Sequence, residues 1–281
     1  MNSSTSPISI SAASAAGPLP LNPLDGIDFA QLGSVPLASA TDIFSIPAMR
    51  HYIAKTRWEK FIASGQQMAV HPSVASGMLK DTIPYNIQGV WNSINDIVSL
   101  ERSELVFRPL MCIDKVYWYP RRRVWEGQKA LLIGSRTEYE VLVAMGYGME
   151  LSSIHAVDLF SYSPWITPGD MHALPYPDNS FDLIIMGWVL GYSQTPEIVA
   201  REVSRVARPG AVVSIGNDSY APEAAAGSPY VVEGRARTAK DMLKYFGSNV
   251  GKVYFQHDPC YPKNDVPHLD GHIIVTFGIE K

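Results

Sequence analysis

Positive charge is scarce in this chain and begins late. The 281 residues carry 23 Lys and Arg against 27 Asp and Glu, a net charge of −4 with a pI near 6.0. Nucleic-acid-binding surfaces are ordinarily basic, so no nucleic-acid partner is expected. Arg121-Arg122-Arg123 is the one basic cluster and reads as a solvated turn before a strand. The first Lys or Arg is Arg50, which removes the basic n-region of a secretory signal. Apolar runs of about 18 residues are also missing, which excludes a helical membrane span. Both absences point to the cytoplasm. Only two cysteines occur, Cys112 and Cys260, without metal or redox spacing, and they read as ordinary thiols of a reducing compartment. The seven histidines form no metal-ligand grouping and no Ser-His-acid pattern, so no metal is expected.

What remains is a globular composition, 46% hydrophobic and 18% charged, arranged in three parts. Residues 1–40 are rich in Ser, Ala, Pro and Gly and cannot bury enough surface to offset chain entropy, so a disordered tail is expected. Residues 41–120 read as a helical N-terminal cap. Thr41 and Asp42 are helix caps there, and Phe44, Met49, Tyr52, Ile53, Trp58 and Ile62 recur at helical spacing. Further helices are expected over Pro72–Leu79 and Ile87–Leu105, and a strand or ordered linker over Phe107–Tyr119. Whether this region packs on its own sheet or a partner's is left open, and with it a homodimer formed through the N-terminal region.

Residues 121–281 alternate strand and helix signals, which predicts an α/β domain with a parallel sheet. Lys129–Gly134 is an apolar run ending in glycine, suited to a buried parallel strand. Thr137-Glu138-Tyr139-Glu140 has a capping-box pattern opening a helix to Met145. Strands follow at Ile154–Asp158, Trp165–Asp170, Asp182–Gly187 and Ala211–Gly216. A helix begins at Thr195-Pro196, with Val199, Val203 and Val206 on one face, and Pro209-Gly210 ends it. Another helix over Thr238–Phe246 precedes two late strands, Lys252–His257 and His272–Ile279.

Gly169-Asp170-Met171-His172-Ala173-Leu174-Pro175-Tyr176-Pro177-Asp178-Asn179-Ser180-Phe181-Asp182 leads from one strand end into the next, and Arg205-Val206-Ala207-Arg208-Pro209-Gly210 follows. This pattern resembles the adenine-binding loop and fourth strand of class I S-adenosylmethionine (SAM) methyltransferases of the type 11 kind, over about a third of the chain. The resemblance implies a Rossmann-like seven-stranded sheet with SAM bound at its C-terminal edge, where ligands sit in open parallel sheets. Asp158, 24 positions beyond Gly134, matches the acid that holds ribose hydroxyls about 20 residues past the first turn, with Leu159 beside it. Asp170 fits the acceptor for the adenine amino group and Met171 its apolar neighbour. Gly187 to Ser193 occupies the place that faces the sulfonium, and Tyr176, Trp188 and Tyr192 are expected to form an aromatic wall there, assigned as the catalytic surface.

The sequence departs from the family pattern at two points. In place of a glycine-rich first turn stands Gly134-Ser135-Arg136-Thr137-Glu138, with one glycine. Arg136 is a candidate for the SAM carboxylate and Glu138 for its ammonium, whereas Glu140 is assigned to helix capping. Only Leu159–Pro164 separate the second and third strands, too few for the usual crossover helix of a dozen or more residues. Phe160, Tyr162 and Trp165 would then fill the space of that helix or line the adenosine site. The favoured function is methyl transfer to a small-molecule acceptor of specialised metabolism. The alternatives are cyclisation of SAM itself to azetidine-2-carboxylate with loss of methylthioadenosine, and a non-catalytic scaffold.

Overall fold

The computed structural model describes residues 40–75, 111–116, 127–219, 236–258 and 271–281. The tail over 1–39, the helix over Ile87–Leu105 and Cys260 lie outside them. Seven strands form the main sheet: β2 (Ala130–Ile133), β3 (Ile154–Asp158), β5 (Ile166–Pro168), β6 (Phe181–Gly187), β7 (Ala207–Ser219), β8 (Val250–His257) and β9 (Gly271–Ile279). Their order is β5-β3-β2-β6-β7-β9-β8. Only β9 runs against the rest, since it pairs antiparallel with both β7 and β8. The chain builds outward from β2 through β3 to β5, then returns to β6 on the other side. That reversal places a crevice above the C-terminal ends of β2 and β6.

Each face of the sheet carries its own helical layer. α5 (Glu138–Gly146) covers one face, joined by α1 (Ala40–Ser45), α2 (Pro47–Ala63) and a helical turn, α4, over 111–116. Phe44, Ile53, Cys112, Tyr139, Leu142 and Leu132 share that core. The other face is covered by α6 (Pro196–Val206) and α7 (Ala239–Phe246), through Val199, Val203, Val206, Met242 and Phe246. All four residues of β2 are buried, as a strand covered on both faces requires.

Several boundaries differ from expectation for identifiable reasons. The N-terminal helix breaks at Ile46-Pro47, since a proline lacks the N–H that would continue α1 and is well placed to open α2. Residues 111–116 are helical rather than a strand or linker. α3 (Pro72–Ala75) is the described part of the expected second helix. Pro209-Gly210 does not end α6. The helix stops at Val206 and β7 already includes both residues, with Gly210 at a φ of +79°. Thr137 adopts the extended N-cap conformation without a side-chain cap bond, so the capping box does not form. Thr238 does cap α7, accepting the Asp241 N–H at 3.1 Å.

The N-terminal helices pack on their own sheet, against α5, so this packing does not call for a partner's sheet. Arg50 donates to the Phe44 carbonyl, and His51 stacks on Tyr139 at 4.8 Å. A two-stranded ribbon extends the attachment. β1 (Ala69–Val70) pairs antiparallel with β4 (Phe160–Ser161), in the short segment that replaces the crossover helix. The aromatics of that segment are core: Tyr162 packs against Trp58 at 4.7 Å and Phe61 at 5.6 Å, and the Arg57 guanidinium lies 3.9 Å above the Trp165 ring. α2 therefore occupies space that the missing helix would fill.

Candidate functional site

The crevice above β2, β3 and β6 gathers side chains from four turns. At the first, Gly134 has a φ of +82°, and any Cβ there would stand 2.6 Å from Val189 Cβ in the turn after β6. Only glycine satisfies both constraints. The Gly134 and Ser135 amides both point at the Val157 carbonyl of β3, at 2.8 and 3.3 Å. This turn is thus closed by its neighbour strand, and side chains supply its polar groups.

Glu138 does not face the crevice as a free anion. Arg57 binds it through both guanidinium edges, Nε to Oε2 at 2.5 Å and Nη2 to Oε1 at 2.8 Å, and the Ser163 hydroxyl donates to Oε1. The side chains are 2% and 0% exposed. With both oxygens engaged, Glu138 anchors α2 to the first turn rather than awaiting an ammonium group. Its backbone N–H donates to the Tyr162 hydroxyl at 3.0 Å, which satisfies an orphan amide of the helix start.

Glu140, two residues on, turns back to the first turn. Its Oε2 accepts the Ser135 hydroxyl at 3.1 Å. Burial, with the Asp158 charge nearby, pushes its carboxyl up to about 8, against smaller opposing effects of Ser135 and Arg136. Asp158, at the end of β3, accepts the Phe160 N–H at 3.1 Å. Burial raises it to about 6, with Arg136 partly offsetting the shift. Both carboxyls are held toward their neutral forms chiefly by burial. Arg136 is the cation beside them and makes no ion pair among the described residues.

After β5, Asp170 begins a tight turn bridged to Ala173. Its Oδ1 accepts the His172 backbone N–H at 2.9 Å and faces His172 Nδ1 at 2.6 Å, while His172 Nε2 meets Ser193 Oγ at 2.8 Å. Burial would raise the Asp170 carboxyl, but the His172 contacts outweigh it and hold the group below its ordinary value. Met171 is partly buried against the second core. The His71 backbone N–H reaches Leu159 O at 2.9 Å, so the N-terminal ribbon borders this side of the crevice. The Asp170–His172–Ser193 chain, which ties the turn after β5 to the turn after β6, is invisible in sequence because Ser193 lies 21 residues away.

The expected aromatic wall is not assembled. Tyr176 packs edge-on against Phe181 at 5.0 Å and His155 at 5.8 Å. His155 is level with Ile184 of β6 through Leu131, so the Tyr176 ring packs on the flank of the sheet below the strand ends rather than at them. Tyr192 is 61% exposed in the turn over 190–192. Trp188 alone is buried at the C-terminal edge, directly after Gly187. It holds a φ of +58°, rare for a bulky residue. With Glu138 clamped by Arg57 and Tyr192 exposed, Glu138 and the three aromatics do not form one surface.

A methyltransferase-domain family matches residues 146–215, which run from the end of α5 through β3, the Asp170 turn and β6 into β7. That match covers about a quarter of the chain and includes Asp158, Asp170 and Gly187. The chain is similar to malonyl-[acyl-carrier protein] O-methyltransferase of Halorhodospira halophila (strain DSM 244 / SL1). The two are 28% identical over 141 residues, 46% of this chain and 44% of that one. The chain thus spans less than half the length of this curated relative. Among solved structures, the domain resembles the N-methyltransferase NodS of Bradyrhizobium japonicum WM9 in complex with S-adenosyl-L-homocysteine (13% identity, 70% of this chain and 99% of that one, TM-score 0.46). It also resembles the CurJ carbon methyltransferase (10% identity, 90% and 70%, TM-score 0.47).

The groups gathered at the strand ends suit SAM: Asp158 after β3, Asp170 after β5, and Arg136 and Glu140 at the first turn. Glu140 and Asp158 are pushed toward their neutral forms by burial, and a ligand bearing sulfonium and ammonium charges favours their ionised forms. Among the described residues, no helix is long and apolar enough to cross a membrane.

Proposed function

We propose that this protein transfers the methyl group of SAM to a small-molecule acceptor. The observation that carries the proposal is the strand order β5-β3-β2-β6-β7-β9-β8, which sets Asp158 at the end of β3, beside Arg136 and Glu140, at the switch point of the sheet. Asp158 binds the ribose diol, with Leu159 lining that side. Asp170 accepts the adenine amino group, and Met171 supplies the apolar contact next to it. Arg136 holds the cofactor carboxylate, and Glu140 takes the ammonium in place of Glu138. Gly187 leaves the strand end open, and Trp188 walls the acceptor side. When bound, the sulfonium supplies an activated methyl group, and the chain's residues contribute alignment and exclusion of water.

The reading as a helical cap over 41–120 is supported by α1, α2 and the Arg57–Glu138 clamp, which ties α2 to the first turn. A cap of this kind bounds a small acceptor. The relative's malonyl group on a carrier protein is one acceptor to include in a panel. S-adenosylhomocysteine binding by calorimetry tests the proposal, with Asp158→Ala expected to lose ~1–3 kcal/mol, roughly 5- to 150-fold in affinity. No binding by the wild-type protein, or unchanged affinity in Asp158→Ala, would contradict it.

A further inference from the structure

Beside the cofactor crevice, one strand beyond β6, lies a second polar cluster that the cofactor does not need. Asp218 of β7 and His272 of β9 are direct register partners in the antiparallel pair. Opposed residues of such a pair place their Cβ atoms about 4.5–5.5 Å apart, close enough for side chains to bond. His272 Nδ1 stands 3.0 Å from Asp218 Oδ1, and the same oxygen accepts the Trp188 indole N–H at 2.6 Å. The Trp188 and His272 rings meet edge to face at 5.1 Å. Trp188 is fixed further by its backbone N–H, which donates to the Gly216 carbonyl at 2.9 Å, and by its ring, which lies on Gly216 where a Cβ would overlap it.

The cluster lies at the same edge of the sheet as the cofactor crevice. β7 runs parallel to β6, so Asp218 rises beyond the C-terminal edge, and β9 enters from the same edge because it runs in reverse. Gly187 at the end of β6 is paired with Gly216, and Asp218 is two residues further on, about 7 Å higher. Trp188 bridges the two positions in a left-handed conformation that is strained for a bulky residue, and such strain concentrates at functional sites. Asp218 as a carboxylate can only accept, so the network assigns the imidazole proton to Nδ1 and leaves a lone pair on Nε2. Among the described residues, Nε2 has no hydrogen-bond partner, and the side chain is 32% exposed.

We propose that His272 is the general base of methyl transfer, oriented by Asp218 and Trp188. This rests on the cofactor reading above and adds the acceptor class: a hydroxyl or amine whose heteroatom still carries its proton, rather than a carboxylate, which needs no base. The acceptor heteroatom forms a bond to the methyl carbon as the sulfur–carbon bond breaks and its electron pair returns to sulfur. The acceptor proton passes to Nε2 and later to water. His272 is the catalytic residue in this scheme, and Asp218 and Trp188 are positioning residues.

The test joins two measurements on the full chain. Nitrogen NMR of the imidazole is expected to show the Nδ1–H form in the wild type, with Asp218→Asn shifting the proton to Nε2. Methylation is then assayed with SAM and three probe classes: phenols, primary amines, and carboxylates including a malonyl thioester. The wild type is expected to methylate a phenol or an amine. His272→Gln should lower that rate 100- to 10,000-fold, the usual range for a lost acid–base group, and Asp218→Asn roughly tenfold or more. S-adenosylhomocysteine affinity should stay within about twofold in both variants, as expected of groups outside the cofactor site. An Nε2–H imidazole in the wild type, a wild-type rate in His272→Gln, or turnover confined to carboxylates or absent would overturn the assignment of the base. Failure of the wild type to bind S-adenosylhomocysteine would overturn the cofactor reading, and the base with it.

Discussion

Replacing Glu140 with Gln tests whether the first turn recognises the amino-acid end of the cofactor through a side chain. The substitution keeps shape and one acceptor oxygen for the Ser135 hydroxyl but removes the charge. Glu140 is held at about 8 by burial and by the Asp158 charge, so at neutral pH it is largely protonated in the free protein. An ammonium group placed beside it favours the carboxylate, so binding should release a proton. Affinity for S-adenosylhomocysteine should therefore rise as pH climbs from about 6 to 8, by at most about tenfold per unit, and level off above. Calorimetry in two buffers of different ionisation enthalpy measures the released proton directly. Glu140→Gln should abolish the release, flatten that limb, and lose ~1.5–3 kcal/mol, roughly 10- to 150-fold in affinity. Methylthioadenosine, which lacks the amino acid, should bind both proteins alike. Its affinity should fall only as Asp158 protonates, below about 6. The stability of the free protein supplies an independent check. A carboxyl raised on folding binds more protons folded than unfolded, so stability falls as pH rises from the unfolded value to about 8. The variant should lose most of that slope. Unchanged homocysteine-ligand affinity, or an equal loss with methylthioadenosine, would refute the assignment of Glu140 to the ammonium.

Two other substitutions probe how the crevice is held. Arg57→Ala leaves Glu138 buried without its cation and should cost ~3–5 kcal/mol in chemical denaturation. Arg57→Ala combined with Glu138→Gln should recover part of that loss, and equal losses in both proteins would show that packing of α2, not charge, is what matters. Gly216→Ala inserts a Cβ into the Trp188 ring and should cost ~1–3 kcal/mol in thermal or denaturant unfolding. The displaced indole should also lose its bond to Asp218. Wild-type stability in Gly216→Ala would mean that Trp188 is not held as described.

The sheet was legible because its strands are short apolar runs closed by turn residues. Ile154–Asp158 agrees residue for residue with β3, and the late pair of strands is in place. Asp158 and Asp170 stand at strand ends because their local patterns, an acid after Val157 and Gly-Asp-Met before a turn, are local signals. What was not legible depends on contacts between distant residues. Glu138 and Glu140 are two positions apart in one helix turn, and sequence offers no way to decide which faces α2 and which the crevice. Arg57, 81 residues away, makes that decision. Tyr176 lies in the loop that follows the Asp170 turn, yet its ring turns toward Phe181 and His155. Asp218 and His272 are 54 residues apart and become neighbours only through the β7–β9 register.

The loss of glycines from the first turn and the loss of the crossover helix are best understood as one change. In a glycine-rich turn, backbone amides approach the ligand because no side chain intervenes. Here the Gly134 and Ser135 amides are spent on Val157, and the turn instead carries Arg136, Glu138 and Glu140. Three charged groups at a buried turn need partners. Glu138 obtains one from α2, which can reach it because the space beside β5 holds no crossover helix and Trp58, Phe61, Tyr162 and Trp165 pack there instead. With Glu138 neutralised by Arg57, the remaining acid, Glu140, is left to a cationic ligand. On this argument the N-terminal helices form part of the cofactor site. Removing residues 40–63 should then abolish S-adenosylhomocysteine binding even if the sheet persists. Retained affinity in such a truncated, folded chain would separate the cap from the site and leave the rebuilt turn without an explanation.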